Sequence, residues 1–153
     1  MESCPFCESK FQDATIKEYE YWSLQVFVDD QHYIGRSVVV LKRHLVDLVG
    51  LSVKERNEFF DTVLPDLTTC LNQTFSPDLL NYAQLGNDCE HLHIHCVPRY
   101  KEPVLFEGEE FVDEYWGETY QQGYERVVFS HEKLMTLKNL LADHLPSSHP
   151  IGK

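Results

Sequence analysis

Residues 90–100 read EHLHIHCVPRY, and within them His91, His93 and His95 alternate strictly with Leu92, Ile94 and Cys96. Strict alternation is the period of a β-strand, whose successive side chains point to opposite faces. The stretch therefore predicts a strand with three imidazoles in a row on one face, spaced by about 6.5 to 7 Å. The opposite face is apolar and has to be covered. A lone histidine on a strand is more often structural than functional, but a solvated face has no need of three residues of one kind. Three in register point to one of two chemistries. They can ligate a metal, because neutral imidazole is the commonest metal ligand. Alternatively, one imidazole attacks phosphorus while its neighbours fix its tautomer and hydrogen-bond the phosphoryl oxygens. Spacing alone does not choose between them.

The rest of the chain narrows the setting. Its 153 residues, 42% of them hydrophobic, suit a single domain over 1–153 with a substantial core. No apolar run approaches the roughly 18 to 20 residues of a membrane span, and the start, MESCPFCESK, has no basic-then-apolar signal pattern. A cytoplasmic protein without a membrane partner is the expectation. Five cysteines, an odd number, argue against a disulfide framework. Cys4 and Cys7 form a C-x-x-C pair, which is half of a tetrahedral metal site, and Cys70, Cys89 and Cys96 read as core thiols. The formal net charge of −12 opposes nucleic acid as a partner. Much of the excess falls between Glu102 and Glu125, with no Lys or Arg among those residues, and reads as a solvated acidic loop. Arg36, Lys42, Arg43, Arg99 and Lys101 lie near the histidines in sequence or pattern, so local charge there can still hold a small anion.

Aromatic and β-branched residues predict strands over 19–28, 37–44, 79–86 and 91–100. The last two are joined by the short NDCE link, which predicts an antiparallel pair. A helix should start at Ser52, with Glu55 completing a capping box, and bury Phe59, Phe60, Val63, Leu64 and Leu67; Pro65 should kink or split it. A second, amphipathic helix is expected over 130–145 with Ser130 as N-cap, followed by a flexible tail over 146–153. Antiparallel strands with a few helices make an α+β domain.

The run His91-Leu-His93-Ile-His95-Cys-Val, with Pro98-Arg99 behind it, resembles the signature of the histidine triad superfamily. VDDQHYIGRSVVVLKRHLVDLVGLS, LLNYAQLGND and EYWG are similar to other segments of its bacterial hydrolases, including the diadenosine polyphosphate hydrolase-like branch, so that the resemblance spans roughly residues 4–117. It implies a curved antiparallel sheet of about five strands with flanking helices, and a homodimer with a continuous sheet. It also implies a nucleotide hydrolase acting at the α-phosphorus of a dinucleoside polyphosphate or nucleoside phosphoramidate. His93 would form the covalent nucleotidyl adduct, His95 would fix the working tautomer, and His91 would lie near the leaving group or serve a metal. No catalytic cofactor is needed for an imidazole nucleophile.

By the same resemblance, Asn87, and less directly Gln84, would contact phosphate, and Asp29 the ribose hydroxyls. The metal set of some similar bacterial proteins falls here on Cys4, Cys7, His44 and His91, which implies a structural zinc. One position departs from the pattern: many members carry a histidine after the glycine that enters the second strand, and here Arg36 follows Gly35. A permanently charged guanidinium cannot accept a hydrogen bond. Arg36 can hold phosphate or point away. The substitution keeps open a zinc-stabilised nucleotide-binding module with little turnover; a third reading is a nucleotidyltransferase, in which the same His93 adduct passes its nucleotide to an acceptor other than water. His32, His131, His144 and His149 read as surface residues.

Overall fold

The computed structural model describes residues 3–120 and 125–147, so His149 and most of the expected tail lie outside the described residues. Five strands form one antiparallel sheet: β1 (Thr15–Glu18), β2 (Trp22–Val26), β3 (Ser37–Leu41), β4 (Leu79–Ala83) and β5 (His93–Arg99). Their order is β1-β2-β3-β5-β4, so the histidine strand lies between β3 and the edge strand β4. All seven residues of β5 are buried. The architecture is α+β, as the strand and helix patterns predict.

The two faces of the sheet do different work. Trp22 and Leu24 of β2, Val39 and Leu41 of β3, and Ile94 and Cys96 of β5 join the hydrophobic core. Helices α2 (Leu64–Thr74) and α3 (His131–Asp143) contribute to that core, and α1 (Val53–Glu58) leads into α2. Ser52 and Glu55 make the expected capping box, and Ser130 caps α3. Pro65 resolves the long helix into two pieces. Without an amide hydrogen it cannot continue the ladder, and the chain inserts one π-helical turn, Phe59–Val63, ahead of it. Phe59, Val63, Leu67, Cys70 and Leu71 then form the buried stripe, whereas Phe60, expected on it, is 63% exposed. It lies one residue off the four-residue spacing of Phe59, Val63 and Leu67.

The first predicted strand begins later than its aromatic composition suggests. Glu20 and Tyr21 turn between β1 and β2, with their amides donating to the Glu58 carboxylate at 2.9 and 2.7 Å. The stretch after residue 101 also differs from a plain loop. It contains a hairpin of β6 (Val104–Phe106) and β7 (Glu109–Phe111). Glu107 and Gly108 both have positive φ, 50° and 79°, the twist that a two-residue hairpin turn requires.

The acidic segment is not uniformly solvated either. Asp113 is buried and takes a two-pronged ion pair from Arg99 at 2.7 and 3.0 Å. Arg99 also donates to Asn81 Oδ1 (2.9 Å) and to the carbonyls of Tyr115 (2.7 Å) and Glu118 (2.8 Å). One guanidinium thus ties β5, β4 and the segment 113–118 together. No described helix is long and apolar enough to cross a membrane.

Candidate functional site

Two backbone links bring the ends of the site together. Leu92 N donates to Leu45 O at 2.6 Å, and Leu41 N to Leu92 O at 3.1 Å, so the segment after β3 runs beside the start of the histidine strand. Arg43 holds that segment in place by bonding Gly50 O (2.9 Å) and the Glu55 carboxylate. The Arg43 guanidinium, helped by the Ser52 bonds and opposed by burial, brings the Glu55 carboxyl down to about 2. His44 is thereby set against His91.

The three imidazoles are not equivalent. His91 is 1% exposed, and its Nε2 lies 2.6 Å from the Leu41 carbonyl. A carbonyl only accepts, so the proton is on Nε2 and the Nδ1 lone pair is free. That Nδ1 faces Cys4 Sγ (3.3 Å), Cys7 Sγ (3.5 Å) and His44 Nδ1 (3.3 Å). One ligand atom from each of Cys4, Cys7, His44 and His91 lies within 4.8 Å of the others. Two sulfurs and two imidazole nitrogens at that spacing can hold a metal ion, and a tetrahedral one such as zinc suits the donor set. The Leu41 carbonyl orients the His91 ligand from behind, as outer partners of metal-bound imidazoles do. Burial pushes the Cys4 thiol up, but hydrogen bonds from the Cys7 backbone, the Cys7 side chain and His44 outweigh it and bring Cys4 down to about 6. A sulfur readily available as thiolate suits a ligand role. Cys89, expected in the core, is instead half-buried with its Sγ 4.0 Å from that of Cys4. Cys70 and Cys96 are buried, as read, and burial pushes the Cys70 thiol up to about 12.

His93 and His95 face a different place. Both line a cavity of about 290 Å³ that also takes in Asp29, Arg36, Asn87 and Arg126. His93 Nδ1 is 2.6 Å from the His91 carbonyl, which places the proton on Nδ1 and the lone pair on Nε2. Burial lowers the His93 pKa, with the bond to that carbonyl opposing part of the effect. The tautomer of His93 is thus held by the His91 backbone carbonyl, whereas the resemblance implied His95 for that task. His95 stands beside it with ring centroids 5.1 Å apart, and its Nδ1 lies 3.5 Å from Arg36 Nη2. Burial, then the Arg36 charge, then His93 bring His95 down to about 3, so it is neutral at ordinary pH.

The structure gathers most of the expected residues. Asp29, Arg36, Asn87, His93 and His95 share the cavity, and Gln84 stands just before the Leu85–Cys89 wall without lining it among the described residues. His91 belongs to the cysteine end. Several contributors were not anticipated. Phe6 and Phe11 form one wall, and the Phe6 ring packs on both His91 and His93 at 5.4 and 5.0 Å. Their only signal in the sequence is the neighbouring cysteine pair, which ties the N-terminal arm to the histidine strand. Asp30, adjacent to the chosen Asp29, makes the buried pair with Arg36 at 3.2 Å. Arg126 carried no sequence signal. Of the other histidines, His131 is exposed at the start of α3, and His144 is half-buried with Nδ1 2.9 Å from the Leu140 carbonyl.

Comparison with solved structures decides the fold. A hypothetical histidine triad nucleotide-binding protein from Sulfolobus tokodaii superposes with a TM-score of 0.69 at 15% identity, over 92% of this chain and 91% of that one. The chain has the histidine triad fold. A member of the family from Bacillus subtilis gives 0.59 at 21% identity, over 96% and 100% of the two chains. A zinc-bound histidine triad protein from Mycobacterium smegmatis gives 0.58 at 21% identity, over 92% and 94%. No family model and no curated protein sequence matches the chain. At these identities the histidine triad fold is shared, and chemistry has to be argued from this chain's own side chains.

Proposed function

We propose that the protein is a nucleotide hydrolase that cleaves a phosphoanhydride or phosphoramidate at the α-phosphorus through His93. The observation that carries this reading is the lone pair on His93 Nε2. With Nδ1 committed to the His91 carbonyl at 2.6 Å, Nε2 is the nitrogen left for the cavity. It attacks phosphorus, the bond to the leaving group breaks, and the electron pair departs with that group. The resulting imidazole carries positive charge, which the His91 carbonyl stabilises through Nδ1–H. Water then attacks the same phosphorus, the P–N bond breaks, Nε2 recovers its pair, and the proton that the water loses reaches the departed group through solvent. The net change is the addition of water across the original bond, giving a nucleoside monophosphate. Asn87, Arg126 and Asp29 line the cavity; on this reading the first two bond phosphate oxygens and Asp29 a ribose hydroxyl.

The test offers the protein a diadenosine polyphosphate and an AMP phosphoramidate, with quench and intact-mass measurement kept alkaline, because a histidine P–N bond breaks in acid. An adenylyl adduct on the wild type and AMP release support the reading. Binding with no adduct and no AMP would replace it with the binding-module alternative, for which Arg36 at the usual histidine position is the specific argument. Nucleotide transferred to an added acceptor would make it a transferase.

We further propose that Cys4, Cys7, His44 and His91 hold zinc, which fastens the N-terminal arm against the site. Untreated protein should contain about one zinc per chain, and Cys4→Ser should lose most of it. Metal-free wild-type protein would end this proposal. A homodimer is the third element. β4 is an edge strand with Leu79 53% and Tyr82 47% exposed, a surface suited to continuing the sheet in a second copy. Sedimentation at twice the chain mass is expected, and a monomer at micromolar concentration would count against it.

A further inference from the structure

The departure at Arg36 has a geometry of its own. The side chain is 7% exposed, and its two outer nitrogens are both engaged, Nη1 with Asp30 Oδ2 at 3.2 Å and Nη2 with His95 Nδ1 at 3.5 Å. Asp30 is itself pinned, because its Oδ1 accepts from the amides of His32 (2.9 Å) and Val127 (3.1 Å). The guanidinium lies over the Phe27 ring at 4.4 Å, and the same ring meets His95 edge-on at 4.9 Å. The backbone is equally fixed. Arg36 O accepts from Gln31 Nε2 at 2.8 Å and from Phe27 N at 3.0 Å. Gly35 has φ +88°, and a Cβ there would come within 2.9 Å of Leu71, so the chain enters β3 in a conformation that delivers the arginine to this spot.

We propose that Arg36 is a positioning residue which, held by Asp30, keeps the proton of His95 on Nε2, ready to donate to a phosphoryl oxygen beside His93. This inference rests on the hydrolase reading. A guanidinium in a protein is always protonated and only donates, so His95 Nδ1 can only accept from it. The imidazole proton then sits on Nε2, the nitrogen left for the cavity. A histidine at position 36 could either donate or accept and would leave the tautomer undetermined. The groups around His95 are Arg36 and Asp30 on the β2–β3 side and His93 on its own strand, and burial, seconded by the Arg36 charge, keeps His95 neutral. Hydrogen bonding to the charge that builds on phosphorus is the kind of contact that acts in the transition state rather than in binding. No proton has to be transferred.

The same fork explains why Arg36 is not primarily a phosphate clamp. Its charge is matched by Asp30, and each terminal nitrogen gives one of its two hydrogens to a protein partner. The Nε is buried with no protein partner among the described residues, so a ligand or water can still be met through it or through the second hydrogens of the fork.

Two measurements on the full-length protein test the proposal. In the first, ¹⁵N NMR of histidine-labelled wild type should show His95 protonated on Nε2 and unprotonated on Nδ1. Arg36→Met should convert it to a mixture of tautomers. Arg36→Lys preserves a positive charge for Asp30 and guards against a folding failure. Its single ammonium cannot serve both partners, so the tautomer signal should again be mixed. In the second, with a diadenosine polyphosphate as substrate, both variants should lose roughly 10- to 100-fold in kcat with KM within about twofold. A His95 proton on Nδ1 in the wild type overturns the proposal, as does an unchanged tautomer in both variants. A raised KM at constant kcat overturns it too and makes Arg36 a substrate clamp. The NMR arm needs no turnover, so a chain that hydrolyses nothing refutes the hydrolase reading without obscuring where the His95 proton lies.

Discussion

His93→Ala is expected to abolish hydrolysis of diadenosine polyphosphate, lowering kcat by about 10⁴-fold or more, since removal of a covalent nucleophile costs on that order. The expectation follows from the division of labour within the row. His93 has its Nδ1 proton anchored on the His91 carbonyl, which leaves Nε2 as the sole lone pair of that ring. His91 spends its lone pair on the cysteine cluster, and the Nδ1 of His95 on Arg36. Neither can substitute for the missing ring. Because the substitution removes a ring from the cavity wall without touching Asp29, Asn87 or Arg126, nucleotide affinity should stay within a few-fold of wild type. Initial rates of AMP release, with isothermal titration using a non-hydrolysable analogue, measure the two quantities separately. A variant retaining a tenth of the wild-type rate would rule His93 out as nucleophile.

Asp113→Ala should be the most destabilising single change away from the cavity, by about 3 to 5 kcal/mol, the usual penalty for stranding one member of a buried ion pair. The side chains of Arg99 and Asp113 are 3% and 0% exposed. Alanine leaves the guanidinium enclosed beside Asn81 and the Tyr115 and Glu118 carbonyls, which are dipoles and not a matching charge. Against a total stability on the order of 5 to 15 kcal/mol, that loss takes a large share of the margin. Thermal denaturation should drop by roughly 6 to 20 °C, taking about 2 to 4 °C per kcal/mol for a chain this size. The pair Arg99→Met with Asp113→Leu removes both charges and should recover most of the loss. If the single variant melts with the wild type, the hub at Arg99 is not what holds segment 113–118.

How far the sequence could be read follows from which interactions are local. Alternation in EHLHIHCVPRY marks a strand and its two faces by itself, and the Ser52 and Ser130 caps are visible within a turn of their helices. β1 was not visible, because Thr15–Glu18 lacks alternation and is a strand only by pairing with β2. The β6–β7 hairpin was hidden by its glutamates, which favour a loop on composition even though Glu107-Gly108 supplies the turn. Asp113 looked like one more solvated carboxylate because its partner, Arg99, lies 14 residues earlier and meets it only in the folded chain. Asp30 and Asp29 could not be told apart on composition. The structure puts Asp30 behind Arg36 and leaves Asp29 exposed at the cavity. Cys89 is the same kind of case: burial in the core and placement beside Cys4 carry no different signature in one sequence.

The place of β5 in the sheet also bears on how the protein is made. It leaves the ribosome after β3 and β4, yet has to slot between them. Until residue 93 and its successors emerge, β3 has an open edge along Val38–Val40, and the Cys4 and Cys7 thiols wait for a histidine more than 80 positions later. Such distant pairings form slowly, and an exposed apolar edge invites association with other chains in the meantime. A fragment ending before the histidine strand should therefore collect as aggregate rather than as a partly working protein. Completing the sheet and setting the His93 imidazole against the cavity are one folding event.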